Sequence, residues 1–155
     1  MPSGMLQEIE EIRESLEPTE KGQPRNTKEN CVIALENDPL MKAAICQDLF
    51  TDRPCIIRDL GWPRDDLAIT DDDLCQIYLY LEKFYGLTVE RNILNAIRVV
   101  AQRHPWHPIR DYLESLEWDG QERMRTVLHH FLGVEESDLS YECLKLFMLG
   151  AVERV

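Results

Sequence analysis

The stretch from Thr70 to Arg103 constrains the fold more than any other, because it spells two helices in succession with their start and stop signals in place. Thr70 offers a hydroxyl cap, and Asp71, Asp72 and Asp73 put three carboxylates where exposed N–H groups and the positive end of a helix dipole favour them. Leu74, Ile77, Tyr78, Leu81 and Phe84 then fall on one face, and Gly86 supplies a left-handed residue to close the helix. A metal cluster is a poor account of the same three carboxylates, since successive helical side chains fan out by about 100°. From about Glu90 to Arg103, residues Ile93, Leu94, Ile97, Val100 and Ala101 line a second buried side. Two such amphipathic helices need apolar partners, and the neighbouring segments supply them in the same period.

Upstream, Asn26 or Thr27 can cap a helix whose Cys31, Val32 and Leu35 are buried and which stops at Asn37-Asp38-Pro39. Two apolar runs, LMKAAICQDLF and CIIRDL, flank Thr51-Asp52-Arg53-Pro54 and read as a β-hairpin, followed by a loop over 60–69 pinned by Trp62. The expected fold is therefore mainly α: a compact helical domain with a small β-hairpin, α+β at most. A chain of 155 residues suits one compact domain, or one with an attached arm. Residues 6–17, LQEIEEIRESLE, form a short acidic amphipathic helix, and Pro18 with EKGQPRN breaks the pattern. Residues 1–25 thus read as an acidic helical arm or interdomain linker, or as a frayed acidic tail, and 26–155 as the helical domain.

With 44% hydrophobic and 30% charged residues the chain is composed like a folded globular protein. No apolar run approaches the roughly 20 residues that span a bilayer, and MPSGMLQEIEE has no basic region followed by an apolar one, so a cytoplasmic protein without membrane contact is expected. Cys31, Cys46, Cys55, Cys75 and Cys143 lie apart among apolar neighbours and read as small core residues in a reducing compartment. His104 and His107 are separated by prolines that break the helix, and His129 and His130 point in different directions, so no metal is expected. No triad order and no closely spaced carboxylate pair outside caps and polar faces points to catalysis.

The formal charge of −12 argues against a general nucleic-acid coat protein, yet it is unevenly placed. Between positions 91 and 110 there is no Asp or Glu, while Arg91, Arg98, Arg103 and Arg110 all fall there. Arg91, Asn95, Arg98 and Gln102 stand at i, i+4, i+7 and i+11 of the second helix, opposite its apolar side. Guanidinium and amide groups in such a stripe suit the phosphates of a nucleic-acid backbone, with Arg103 and Arg110 as electrostatic support. A solvated helix face accounts for the same residues. So does a protein contact, with the acidic helix at 6–17, a neighbouring subunit or a partner as the complement.

Residues 107–124, HPIRDYLESLEWDGQERM, place proline at the first position of a helix with Ile109, Tyr112, Leu113 and Leu116 on its buried side, and end it in Trp118-Asp119-Gly120. A helix from Arg123 to Gly133 follows, with Met124, Val127, Leu128 and Phe131 apolar. Together with FLG, a following Tyr and KLFMLGAVERV, this pattern resembles the segment ahead of the ATPase motor in the virulence-associated protein E family, proteins of prophages and mobile islands that are similar to primase-helicases. The resemblance is weak from residue 27 through the hairpin and strong from His107 onward. It implies a downstream P-loop motor holding ATP and magnesium, and a module that itself binds no cofactor. DNA is expected as a weak and salt-dependent partner, because the Arg stripe contacts few phosphates. No Gly-x-x-x-x-Gly-Lys-Ser/Thr occurs in the chain. Leu144, Met148, Ala151 and Val155 continue an apolar face to the last residue without a terminating Gly, Asn or Pro, and read as the interface to that motor, the chain being cut inside the helix that leads to it. A homo-oligomer is the other expected assembly, with the Arg-rich helix rather than this face turned to the neighbouring subunit.

Overall fold

The computed structural model describes residues 3–154. Among them the chain forms seven helices and a three-stranded sheet, a mainly α fold, divided into one compact unit up to Trp106 and a second from His107.

In the first unit, α1 (Ser3–Ser15) lies against α2 (Lys28–Asn37) and α3 (Asp71–Tyr85). The segment expected as an arm thus places Ile9 and Leu16 in the same core as Leu35, Leu81 and Ile97. Its polar connector is tied down by buried Asn30, whose side chain accepts from Glu17 N and donates to the carbonyls of Glu17 and Arg25 at 2.8–2.9 Å. Of the two possible caps for α2, Thr27 serves, accepting from Asn30 N.

The hairpin forms as β1 (Ile45–Asp48) and β2 (Arg53–Ile56), antiparallel with Cys46 opposite Cys55. Its four-residue turn needs a positive φ at Asp52, which aspartate tolerates. A third strand, β3 (Pro105–Trp106), runs parallel to β1, with Gln47 N donating to His104 O and Leu49 N to Trp106 O, so the order is β2-β1-β3. Sequence periodicity cannot reveal a strand of two residues. The crossover that a parallel pair requires is supplied by α3 and α4 (Glu90–Arg103). Part of the expected 60–69 loop also returns to the sheet, where Ile56 N donates to Leu67 O and Ile69 N to Pro54 O.

Ala43, just before β1, adopts φ 54°, a region that disfavours any residue with a Cβ. Ala43→Gly is expected to raise the urea midpoint, by roughly 0.5–1 kcal/mol in stability, because relief of that strain outweighs the added freedom of the unfolded chain. A lowered midpoint contradicts this account.

Helix α3 begins with a capping box between Thr70 and Asp73 and ends at Gly86 in the left-handed region, as its signals foretold. Its buried face differs from the expected one. Tyr80 and Tyr85 point inward beside Ile77 and Leu81, while Leu74, Tyr78 and Phe84 are only partly covered. The reason is Asp38, fully buried after α2, whose carboxyl accepts from both tyrosine hydroxyls at 2.7–3.2 Å and from the N–H groups of Leu40 and Met41.

The second unit holds α5 (Pro108–Glu114), α6 (Val127–Leu132) and α7 (Asp138–Glu153), and none of their described residues is buried. Pro108 opens α5 with His107 as its cap, as expected, but Tyr112 and Leu116 are exposed rather than inward. Trp118 is 79% exposed, and Arg123 starts no helix: it holds Asp119 across the corner, and α6 begins at Val127. Arg123 first, and the Gln121 N–H next, keep the Asp119 carboxyl down at about 2.

Candidate nucleic-acid interface

Helix α4 owes its position to residues at both ends. Val89 makes no side-chain cap; instead Asn26, from before α2, accepts from Thr88 N and Val89 N, donates to Gly86 O, and takes Asn92 Nδ2 on its own carbonyl. Ile93, Ala96, Ile97, Val100 and Ala101 are buried, and the helix packs on α2 and on β1. With that side committed, Arg91, Arg98 and Gln102 are exposed and Asn95 is half-buried.

Neither Arg91 nor Arg98 has a hydrogen bond or ion pair among the described residues. At a rise of about 1.5 Å per residue their Cα atoms stand roughly 10 Å apart along the axis, near the length of three nucleotide steps. Arg103, by contrast, is engaged with Glu36 of α2 at 2.9 Å. Arg110 belongs to the second unit, where its N–H donates to His107 Nδ1 at 3.2 Å. Of the six candidates, the fold therefore assembles Arg91, Asn95, Arg98 and Gln102 on one face and gives Arg103 a different partner. A guanidinium that the helical period could not find joins them: Arg53 of β2 lines a cavity of about 260 Å³ together with Arg98, and it too is unpaired among the described residues. Its turn context carries no sequence signal for this, since the proximity exists only once the hairpin lies beside α4.

The second charged cluster of the unit is structural. Arg64 donates to Asp73 at 2.7 Å and to the carbonyls of Ile56, Leu67 and Ala68, and Trp62 Nε1 and Thr70 also donate to Asp73. Burial by itself would raise the Asp73 carboxyl. The donors outweigh it, Arg64 foremost, and bring it to about 2.

Cys31, Cys46 and Cys55 are buried, as expected of core thiols, whereas Cys75 and Cys143 are exposed. Desolvation raises Cys31 to about 11 and pushes Cys46 and Cys55 upward as well, so these thiols stay protonated near neutral pH. Among the described residues no group of three or more His, Cys, Asp or Glu is arranged to hold a metal, and no helix is long and apolar enough to cross a membrane.

Of the α7 residues expected to face a motor, Leu144 is half-buried, Met148 is 43% exposed and Ala151 is exposed, while Val155 lies outside the described residues. Leu146, Phe147, Leu149 and Val152 are exposed too, so the apolar surface is broader than a single stripe.

Fold and site together define a mainly helical protein with a minimal mixed sheet and, among the described residues, two unpaired guanidiniums on one face of α4. Residues 113–155 match the Virulence-associated protein E-like domain. No curated protein matches the chain.

Proposed function

We propose that the chain is a non-catalytic helical module of a DNA-replication primase-helicase of a phage or mobile island, holding DNA on α4 and coupling to a P-loop ATPase through α7. The observation that carries the DNA reading is the pair of guanidiniums, Arg91 and Arg98, unengaged among the described residues and with amides beside them, on a chain whose net charge is −12. In so acidic a protein, a cation left without a carboxylate is available to a polyanion. The coupling reading is supported by α7, where Phe147 is 72% exposed and Met148 and Leu149 stand uncovered beside it in the segment matching the family. Contiguous apolar exposure of this kind marks a surface used by another protein body.

Labelled DNA, titrated against the intact chain at increasing salt, tests the first part. Neutralising two phosphates predicts a slope of about −1.4 for single strands and −1.8 for duplex in a plot of log affinity against log salt. Arg91→Ala and Arg98→Ala should each weaken binding and flatten that slope by about 0.7–0.9. Salt-independent binding, or variants indistinguishable from the parent, removes α4 from the function. ATP hydrolysis by the chain alone would contradict the non-catalytic assignment.

The exposed apolar side chains of α7 favour one alternative, an assembly module without direct DNA contact. In that case Phe147→Ser shifts the oligomeric state seen by light scattering, while DNA binding stays absent throughout.

A further inference from the structure

The cavity beside α4 has a composition that the stripe alone does not explain. Its floor is aliphatic, built from Ile69 after the 60–69 loop, Leu74 in the first turn of α3, and Leu94 and Ile97 of α4. Its polar rim is Arg53 and Arg98. Ile97 is buried and the other three are half-buried, so the floor is open to a ligand and still anchored in the core. At about 260 Å³ the volume lies just below the ~300 Å³ at which pockets for drug-sized molecules begin, and suits one planar heterocycle with part of a sugar.

We infer that this cavity is a subsite for a single unstacked nucleobase of a DNA strand, with Arg53 and Arg98 holding its flanking phosphates. The inference rests on the DNA reading of α4 and adds the form of the substrate, single-stranded rather than paired. Arg98 belongs both to the surface stripe and to the cavity rim, so a backbone following Arg91 toward Arg98 arrives at the opening. A base inside a duplex cannot leave its stack without an unpairing cost, whereas a base in a single strand enters at little cost. The floor contributes apolar contact, which every base accepts on its π-face, and a guanidinium can stack or pair with phosphate. No amide or carboxylate lines the cavity to read base edges, so capture is tolerant of sequence. On the far side of Arg53 the surface turns acidic: Asp48 and Asp66 line an adjoining cavity and repel a polyanion there.

The test compares, on the intact chain at one salt concentration, a short labelled oligothymidylate with a strand of equal length carrying abasic sites, and with duplex of the same length. The base-bearing strand should bind about tenfold more tightly than the abasic one, with the same salt slope. Leu94→Ala should abolish that ratio while leaving abasic binding unchanged, and Arg53→Ala should weaken both single strands. Equal affinity for base-bearing and abasic strands, both still sensitive to Arg91→Ala, overturns the base subsite and leaves the α4 reading standing. Tighter binding of duplex also overturns it. Loss of all salt-dependent binding to the parent protein sinks both readings together.

Discussion

Replacing Asp38 with Ala is expected to remove roughly 3–5 kcal/mol of folding stability, a large share of the ~5–15 kcal/mol available to a domain. The carboxyl collects four donors in a region closed to water: Tyr80 and Tyr85 hydroxyls and the N–H groups of Leu40 and Met41. Truncation strands all four, and each unsatisfied buried donor costs about 1–3 kcal/mol before relaxation. Desolvation first, and then the Asp38 carboxyl, push both tyrosines above their usual range, so they remain neutral donors. Tyr85→Phe alone should cost only about 1–2 kcal/mol, since it removes a donor and leaves the carboxyl its other partners. In a double-mutant cycle the Tyr85→Phe cost should largely vanish once Asp38 is Ala. Urea midpoints followed by circular dichroism measure all three variants. A loss below about 1 kcal/mol for Asp38→Ala would show that water reaches the site.

The second large effect concerns Arg64. Arg64→Ala is expected to cost about 3–5 kcal/mol, because it leaves the buried Asp73 carboxylate with part of its donors and frees the Ile56, Leu67 and Ala68 carbonyls. The same cluster sets an acid dependence. Asp73 falls from its usual 3.8 to about 2 in the folded protein. A folded value below the unfolded one means that the stabilisation is complete above about pH 4 and fades as pH drops toward 2. The stability difference between the parent and Asp73→Asn should therefore shrink by about 2 kcal/mol between pH 5 and pH 2, a window set by that one carboxyl. A difference constant across this range contradicts the assignment. Asp73 is read in the sequence as one of three capping carboxylates, and so it is; its second role, as the buried partner of Arg64, comes from a residue nine positions away in a loop.

The two cases show where local signals end. The capping box of α3, the left-handed Gly86, proline at the start of α5 and the hairpin around Thr51–Asp52 depend on neighbours within a few residues, and short-range rules reach them. Asn26 reads as a helix cap in the sequence and instead organises the start of α4 more than 60 residues later. The inward turn of Tyr80 and Tyr85 is invisible to a hydrophobic period, since a polar group on another element decides it. The same period gives the apolar positions of α5 an inner side, yet Tyr112 and Leu116 are exposed. Periodicity says which residues share a face, while burial requires something to cover that face.

By itself the sequence determined the mainly helical class, the order of most elements, the sign reversal between 91 and 110, and the four-residue polar face of α4, because each follows from helical geometry or from composition. Tertiary structure alone decided that Arg103 is taken by Glu36 while Arg91 and Arg98 stay unpaired among the described residues, that Arg53 comes to line one cavity with Arg98, and that Pro105 and Trp106 close the sheet. Charge pairing and cavity shape depend on distances between elements far apart in the chain, and those distances exist only after the core has packed.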